Sequence, residues 1–357
     1  MMTRRFAFAL TVAGTLTAAA AALAMEPLPK DVPAPADNKP DAAKVELGRK
    51  LYFDPRLSLD GTVSCNSCHN VMAGGEDNRR FSAGVKAQLG GRSAPTVWNA
   101  AYMSVQFWDG RAPSLEAQAK GPVTNPIEMA MPNHDAAVAR LREIPGYVTE
   151  FAQVFADKKA APKLAGQDAA KLITIDNVAR AIASYERTLV TPDSPVDRYL
   201  KGDKKALSPA QVRGMELVKS VGCVSCHSGP NYAGPKLPEG TGFFQKFPTY
   251  AHAEYETQYG FSKDPGRFEV TKADADKNMW RVPTWRNVAL TAPYFHNGAV
   301  ATLDEAVRVM ARTQLNKELK DNEVADIVEF LKGLTGKFPK QTLPTLPPSE
   351  GRSLVQY

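Results

Sequence analysis

The chain contains Cys65-Asn66-Ser67-Cys68-His69 and, 158 residues later, Cys223-Val224-Ser225-Cys226-His227, and these two pentapeptides use all four of its cysteines. Two thiols at this spacing can add to the two vinyl groups of one haem, and the adjacent His is then close enough to supply an iron ligand. Zinc knuckles and redox dithiols share the bare Cys-x-x-Cys spacing, so a structural zinc site or a disulfide are the competing readings. The trailing His, present in both copies, favours two covalently bound haem c groups, held at Cys65, Cys68 and His69 and at Cys223, Cys226 and His227.

The start of the chain fits this reading. Arg4 and Arg5 precede an Ala-rich apolar run from Phe6 to about Leu23, and Ala22-Leu23-Ala24 reads as a small-residue cleavage site before Met25. Residues 1–24 are therefore expected to be a secretory signal peptide. A spanning helix is the alternative, but the run is short and weakly apolar. In a double-membraned bacterium the mature protein would lie in the periplasm, where haem c is attached. Loss of Arg4 and Arg5 lowers the formal charge of +6 by two, to +4, and no basic run exceeds a few residues. Nucleic acid is thus not an expected partner; docking of a small redox protein on a local charged patch suits the composition better.

At 357 residues and 43% apolar content the chain can bury two cores. A Pro-rich entry leads to Asp41–Phe53, where Ala43, Val45, Leu47, Leu51 and Phe53 are partly helical in spacing and Asp54-Pro55 ends the run. This helix runs into the first haem motif. Ser208-Pro209, an N-cap followed by proline, opens a second helix that runs into the other motif. Each motif also has an amphipathic helix after it: Val178, Ile182, Tyr185 and Leu189 share one face, and Val324, Ile327, Val328, Leu331 and Leu334 share another. Helix, haem motif, long loops, helix is the plan of a small c-type cytochrome, present twice. The expected fold is all-α: two c-type cytochrome domains, 25–190 and 191–338, divided near Thr191–Pro195, with long irregular haem-wrapping loops rich in the chain's 27 Pro and 25 Gly. The tail, 339–357, is expected to run extended over the surface.

From about Leu47 to Leu346 the sequence resembles the bacterial di-haem cytochrome c peroxidases. The likeness is carried by LGRKLYFDPRLS, SCNSCHN, APTVWNAAYMSVQFWDGRAPSLEAQAKGPVTNPIEM, TLVTPDSPVDRYLKGD, GCVSCHSGPN, VALTAPYFHNGAV and AVRVMARTQL. The resemblance implies reduction of hydrogen peroxide to water, with electrons from a small periplasmic cytochrome c or copper protein (cupredoxin). On this likeness the domain 25–190 is peroxidatic and the domain 191–338 transfers electrons.

Individual roles follow from the same resemblance. Met310 is implied as the second iron ligand opposite His227, where a thioether raises the potential; by residue type alone it reads as helix core. Glu128 is implied as the active-site acid and base, Gln118 as a neutral side chain orienting the site, and Trp108 as an aromatic between the haems. Taken singly, these read as a solvated loop Glu, a surface Gln and a core Trp. Arg111 is implied as a propionate partner, and His296 as a hydrogen-bonding residue near the second haem or between the domains. A calcium ion is implied between the domains, held by the carbonyls of Thr291 and Pro293, with Ser93 where the family has Asn. The family often forms homodimers, which makes a second copy of the chain a further implied partner. More distantly, the chain is similar to the methylamine dehydrogenase maturation enzymes, which oxidise residues of a partner protein but carry Tyr where Met310 stands. A non-enzymatic di-haem carrier is the reading from another class.

One departure stands out. In typical members a His at the position of Val85 blocks the first haem iron until the second haem is reduced. Here no His lies between His69 and His134. Lys86, Gln88, His134 and His252 are the remaining alternatives, and the expectation is that no side chain takes that position.

Overall fold

The computed structural model describes residues 25–157, 166–350 and 353; the secretory segment read at 1–24 lies outside them. The longer helices are α1 (Ala42–Phe53), α2 (Leu115–Thr124), α3 (His134–Arg142), α4 (Pro145–Phe155), α5 (Ile175–Glu186), α6 (Pro195–Leu200), α7 (Pro209–Val221), α8 (Ala253–Tyr259), α9 (Leu303–Leu315) and α10 (Asp321–Lys332). A single antiparallel pair, β1 (Phe244–Lys246) and β2 (Met279–Arg281), is the only sheet among the described residues. The molecule is mostly helical, as expected. No helix among the described residues is long and apolar enough to cross a membrane.

Local signals set the helix ends. Asp41 caps α1 by accepting from the Lys44 amide at 2.9 Å. Ser208 and Gln211 cap α7 reciprocally, at 3.0 and 3.2 Å. Gly222, at φ 104°, ends α7 in the left-handed conformation and turns the chain directly into Cys223. Leu189 and Leu334 lie just beyond the ends of α5 and α10, yet both are buried on the expected apolar faces.

The helix before each motif crosses the helix after it, α1 against α5 and α7 against α10. Each crossing has a glycine at its closest point. A Cβ at Gly48 would overlap the Ala181 carbonyl, and one at Gly214 would overlap that of Asp326. One apolar cluster gathers residues from Leu47 to Leu189, including Tyr52, Trp98, Tyr147 and Phe151. Two others, around Phe330 and Phe261, draw on residues from Val196 to Leu334.

Thr191–Pro195 falls between these cores but is not an exposed linker. Thr191 is fully buried, and its Oγ1 accepts from Asn99 at 2.8 Å and from Asn287 at 2.9 Å. The extended ends also cross between the two halves. Near the start, the Leu28 amide donates to Asp197 at 3.0 Å. In the tail, which has neither helix nor strand over 339–350, Gln341 accepts from Tyr185 at 3.0 Å and Thr342 accepts from Arg49 at 2.7 Å.

Candidate active site

Both motifs open into one cavity of about 590 Å³, lined by Cys68, His69, Cys223, Cys226 and His227. The two histidines are held alike. His69 Nδ1 lies 2.9 Å from the Pro95 carbonyl, and His227 Nδ1 lies 3.0 Å from that of Tyr232. A carbonyl oxygen only accepts, so each Nδ1 carries the proton and each Nε2 keeps a lone pair for a metal. Burial lowers both imidazole pKa values, His227 to about 4, which keeps the rings neutral and able to ligate. Trp285 stacks on His227 at 4.3 Å and fixes that ring's plane.

The thiols suit vinyl addition better than a zinc site. Burial pushes Cys68 and Cys223 up to about 11 and Cys65 higher still, so they are uncharged. None of the four is in a disulfide, and no group of three or more His, Cys, Asp or Glu side chains converges to hold a metal ion among the described residues. The cavity is mainly apolar, contains both motifs and is lined by two buried groups, Arg281 and His296, that make no ion pair or hydrogen bond with a carboxylate among the described residues. Haem carries an apolar macrocycle with two propionates, so the residues present fit it.

α2 and the loop after it form part of the cavity wall. Ser114 caps α2, which places Gln118 on the cavity wall with no side-chain hydrogen bond among the described residues. Pro126 follows the C-cap Asn125, and the turn beyond presents Glu128 to the same cavity. Asn125 Nδ2 donates to Glu128 Oε1 at 2.7 Å. Burial raises the Glu128 pKa, opposed by nearby Arg111 and by the Asn125 bond. Arg111 is tied to Asp109 at 2.9 Å and lies 3.4 Å over the Phe107 ring, so it favours the Glu128 carboxylate as well as facing the cavity.

The Ser93–Pro95 stretch links the two halves. The Ser93 carbonyl accepts from Trp108 Nε1 at 2.8 Å, its amide donates to the His296 carbonyl at 2.8 Å, and Pro95 holds His69. Trp108 is thereby fixed in a wall that both motifs share. His296 stacks on Trp280 at 4.0 Å, and its Nε2 is buried without a partner.

A model of the family described as di-haem cytochrome c peroxidase matches residues 42–205. The chain is 46% identical over 311 residues to the cytochrome c551 peroxidase of Nitrosomonas europaea, covering 87% of this chain and 85% of that one. It is 44% identical over 344 residues to the cytochrome c551 peroxidase of Pseudomonas aeruginosa, covering 96% and 93%. Among solved structures, a MauG-like protein associated with microbial copper homeostasis superposes with a TM-score of 0.71 at 29% identity, covering 87% of this chain and 95% of that one. The chain belongs to the di-haem cytochrome c peroxidase family.

The family's implied site residues fall together. Cys68, His69, Cys223, Cys226, His227, Trp108, Gln118, Glu128 and Met310 all line the one cavity, as do Ser93, Thr291 and Pro293. Cys65 packs at the edge of the first core. Met310 projects from α9, while its neighbour Val309 fills the core. The alternatives for the first iron do not reach the cavity: Lys86 and Gln88 are exposed, His134 Nε2 bonds the Lys120 carbonyl at 3.0 Å, and His252 Nε2 bonds that of Arg312 at 3.2 Å.

Val85, which stands where a blocking His would be, does not face the cavity. Its side chain is 0% exposed in the first core, its amide donates to the Glu128 carbonyl at 2.8 Å, and a Cβ on Gly84 would overlap the Ile127 carbonyl. Sequence reasoning missed Asn125, although an Asn before Pro and three residues ahead of Glu128 is a turn signal. It also missed Trp285, Arg281 and Glu186, for which no local pattern exists.

Proposed function

We propose that this chain is a periplasmic peroxidase that reduces hydrogen peroxide to water, drawing electrons from a small cytochrome c or cupredoxin and working singly or as a homodimer. Two cytochrome units, 25–190 and 191–338, would each carry one covalently attached haem c. The observation that carries this reading is that Glu128 and Gln118 line the same cavity as His69, whose Nε2 makes no hydrogen bond among the described residues. When bound, haem supplies the iron at which the O–O bond breaks and the electrons that complete the reduction.

The side chains handle the protons. Glu128 accepts a proton from one peroxide oxygen and returns it to the other, so that the departing oxygen leaves as water. Gln118 offers an amide to peroxide without adding charge. Overall, one peroxide, two protons and two electrons give two waters. Met310 and His227 would ligate the second iron, and a thioether there suits an electron store. Trp108, fixed by Ser93, lies between the two ends. Met310 in place of Tyr counts against oxidation of a partner protein, and Glu128 in the cavity counts against a simple carrier.

Support for calcium comes from Thr291 and Pro293, which line the cavity with Ser93 and whose carbonyls accept no hydrogen bond among the described residues. Steady-state peroxide consumption with a reduced small cytochrome c tests the function. Glu128→Gln is expected to retain both haems and lose roughly 10²-fold in turnover, the scale of a lost acid/base group; near-normal turnover would remove Glu128 from the chemistry.

A further inference from the structure

The cavity receives a second carboxyl that the chemistry above does not use. Glu186, the last residue of α5, is 6% exposed and lines the cavity on the side of the first motif. Its Oε2 is buried with no hydrogen-bond partner. The one cation beside it is committed elsewhere, because Arg187 binds Glu116 at 2.7 and 3.1 Å and the Pro33 carbonyl at 3.1 Å. The other titratable groups facing Glu186 are Tyr52 of α1, Tyr185 of α5, Cys65 of the first motif and Glu116 of α2. None of them supplies a positive charge. An ionised carboxylate in that setting lacks solvent and a counter-ion, so the neutral acid is favoured. Burial raises its pKa to about 8, with Glu116 adding to the rise and Arg187 opposing it.

We propose that Glu186 is a proton-holding residue of the first haem cavity, keeping a proton in the resting protein and exchanging it as the charge on that haem changes. This rests on the reading that haem c is bound at Cys65, Cys68 and His69. Peroxide reduction consumes two protons, whereas Glu128 only moves one already on the substrate, so a buried store near the site has a use. Added negative charge in the cavity raises the affinity of Glu186 for its proton and removal of that charge lowers it. By linkage, the protonated carboxyl favours the reduced haem to the same extent.

The test is an optical redox titration of the holoenzyme from about pH 6 to about pH 9, which needs no peroxide turnover. In the wild type the potential of the first haem is expected to fall with rising pH. Glu186→Gln should lose that dependence, Glu186→Asp should keep it, and Glu128→Gln should keep most of it. A redox-difference infrared spectrum of the wild type should also show a protonated-carboxyl band, which keeps the idea testable if the Gln variant does not fold. An unchanged pH dependence in Glu186→Gln, or no carboxyl band in the wild type, would overturn it. Absent peroxidase activity with the pH dependence intact would sink the functional reading and leave this one standing.

Discussion

At Glu128 two influences oppose each other. Burial disfavours the carboxylate, while Arg111 and the bond from Asn125 favour it. Burial prevails, so the base form appears at a higher pH than for an exposed Glu. Turnover is expected to decline on the acid side as pH falls through this raised pKa, and the residual activity of Glu128→Gln should lack that limb; a kcat/KM profile retaining the same limb in the variant would assign it to another group. Met310 lies on α9, half-buried between the cavity and the core cluster around Phe261. Met310→Ala should shift the second haem's potential by on the order of tens of millivolts, measured by redox titration, since the axial ligand is a main control. If calcium binds beside Thr291 and Pro293 as proposed, Ser93 would offer it a hydroxyl in place of an amide oxygen. Ser93→Asn should tighten calcium by roughly tenfold, about 1.4 kcal/mol, read by calorimetric titration after chelation.

The two helix crossings make the same demand at the scale of elements. Gly48 lets α1 meet the backbone of α5, and Gly214 lets α7 meet that of α10. Gly48→Ala and Gly214→Ala would each force a pair apart, at a cost of roughly 1–3 kcal/mol despite the better helix propensity of Ala. Thermal unfolding of the holoprotein measures it; unchanged melting would mean that the crossings adjust freely. The helices themselves were legible, because Asp41, Ser208-Pro209 and the apolar spacing of α5 and α10 are local signals. The burial of Thr191, where a boundary was expected, was not legible, since its partners Asn99 and Asn287 are 92 and 96 residues away. The same limit applies to the site. The haem motifs, Glu128, Gln118 and Met310 could be placed from contiguous segments, whereas Trp285 on His227 and Glu186 beside Cys65 arise only when distant helices pack.

Across the whole molecule, the halves are tied by chain that passes from one to the other. The entry strap reaches Asp197, which pairs with fully buried Arg286 at 2.9 Å, while the tail returns to Tyr185, Arg49 and Arg56. Within this frame the 82–90 loop is stitched to the Glu128 turn by the Val85 amide and by Gln88 Nε2, which donates to the Pro126 carbonyl at 3.0 Å. Only Ser82, Gly84 and Gly90 of that loop line the cavity, and none is a good iron ligand. The first haem should therefore be high-spin in the fully oxidised protein and react with peroxide without prior reduction. Electronic and EPR spectra of the oxidised holoprotein check this, together with the time course of peroxide loss. Low-spin signals from both haems, with a lag abolished by pre-reduction, would show that the loop opens and recruits a ligand. Val85→His sharpens the comparison. An imidazole at a fully buried core position has no partner there, so it either destabilises the core or pulls the loop into the cavity. The second outcome should make the first haem low-spin and peroxide reduction dependent on reductive activation.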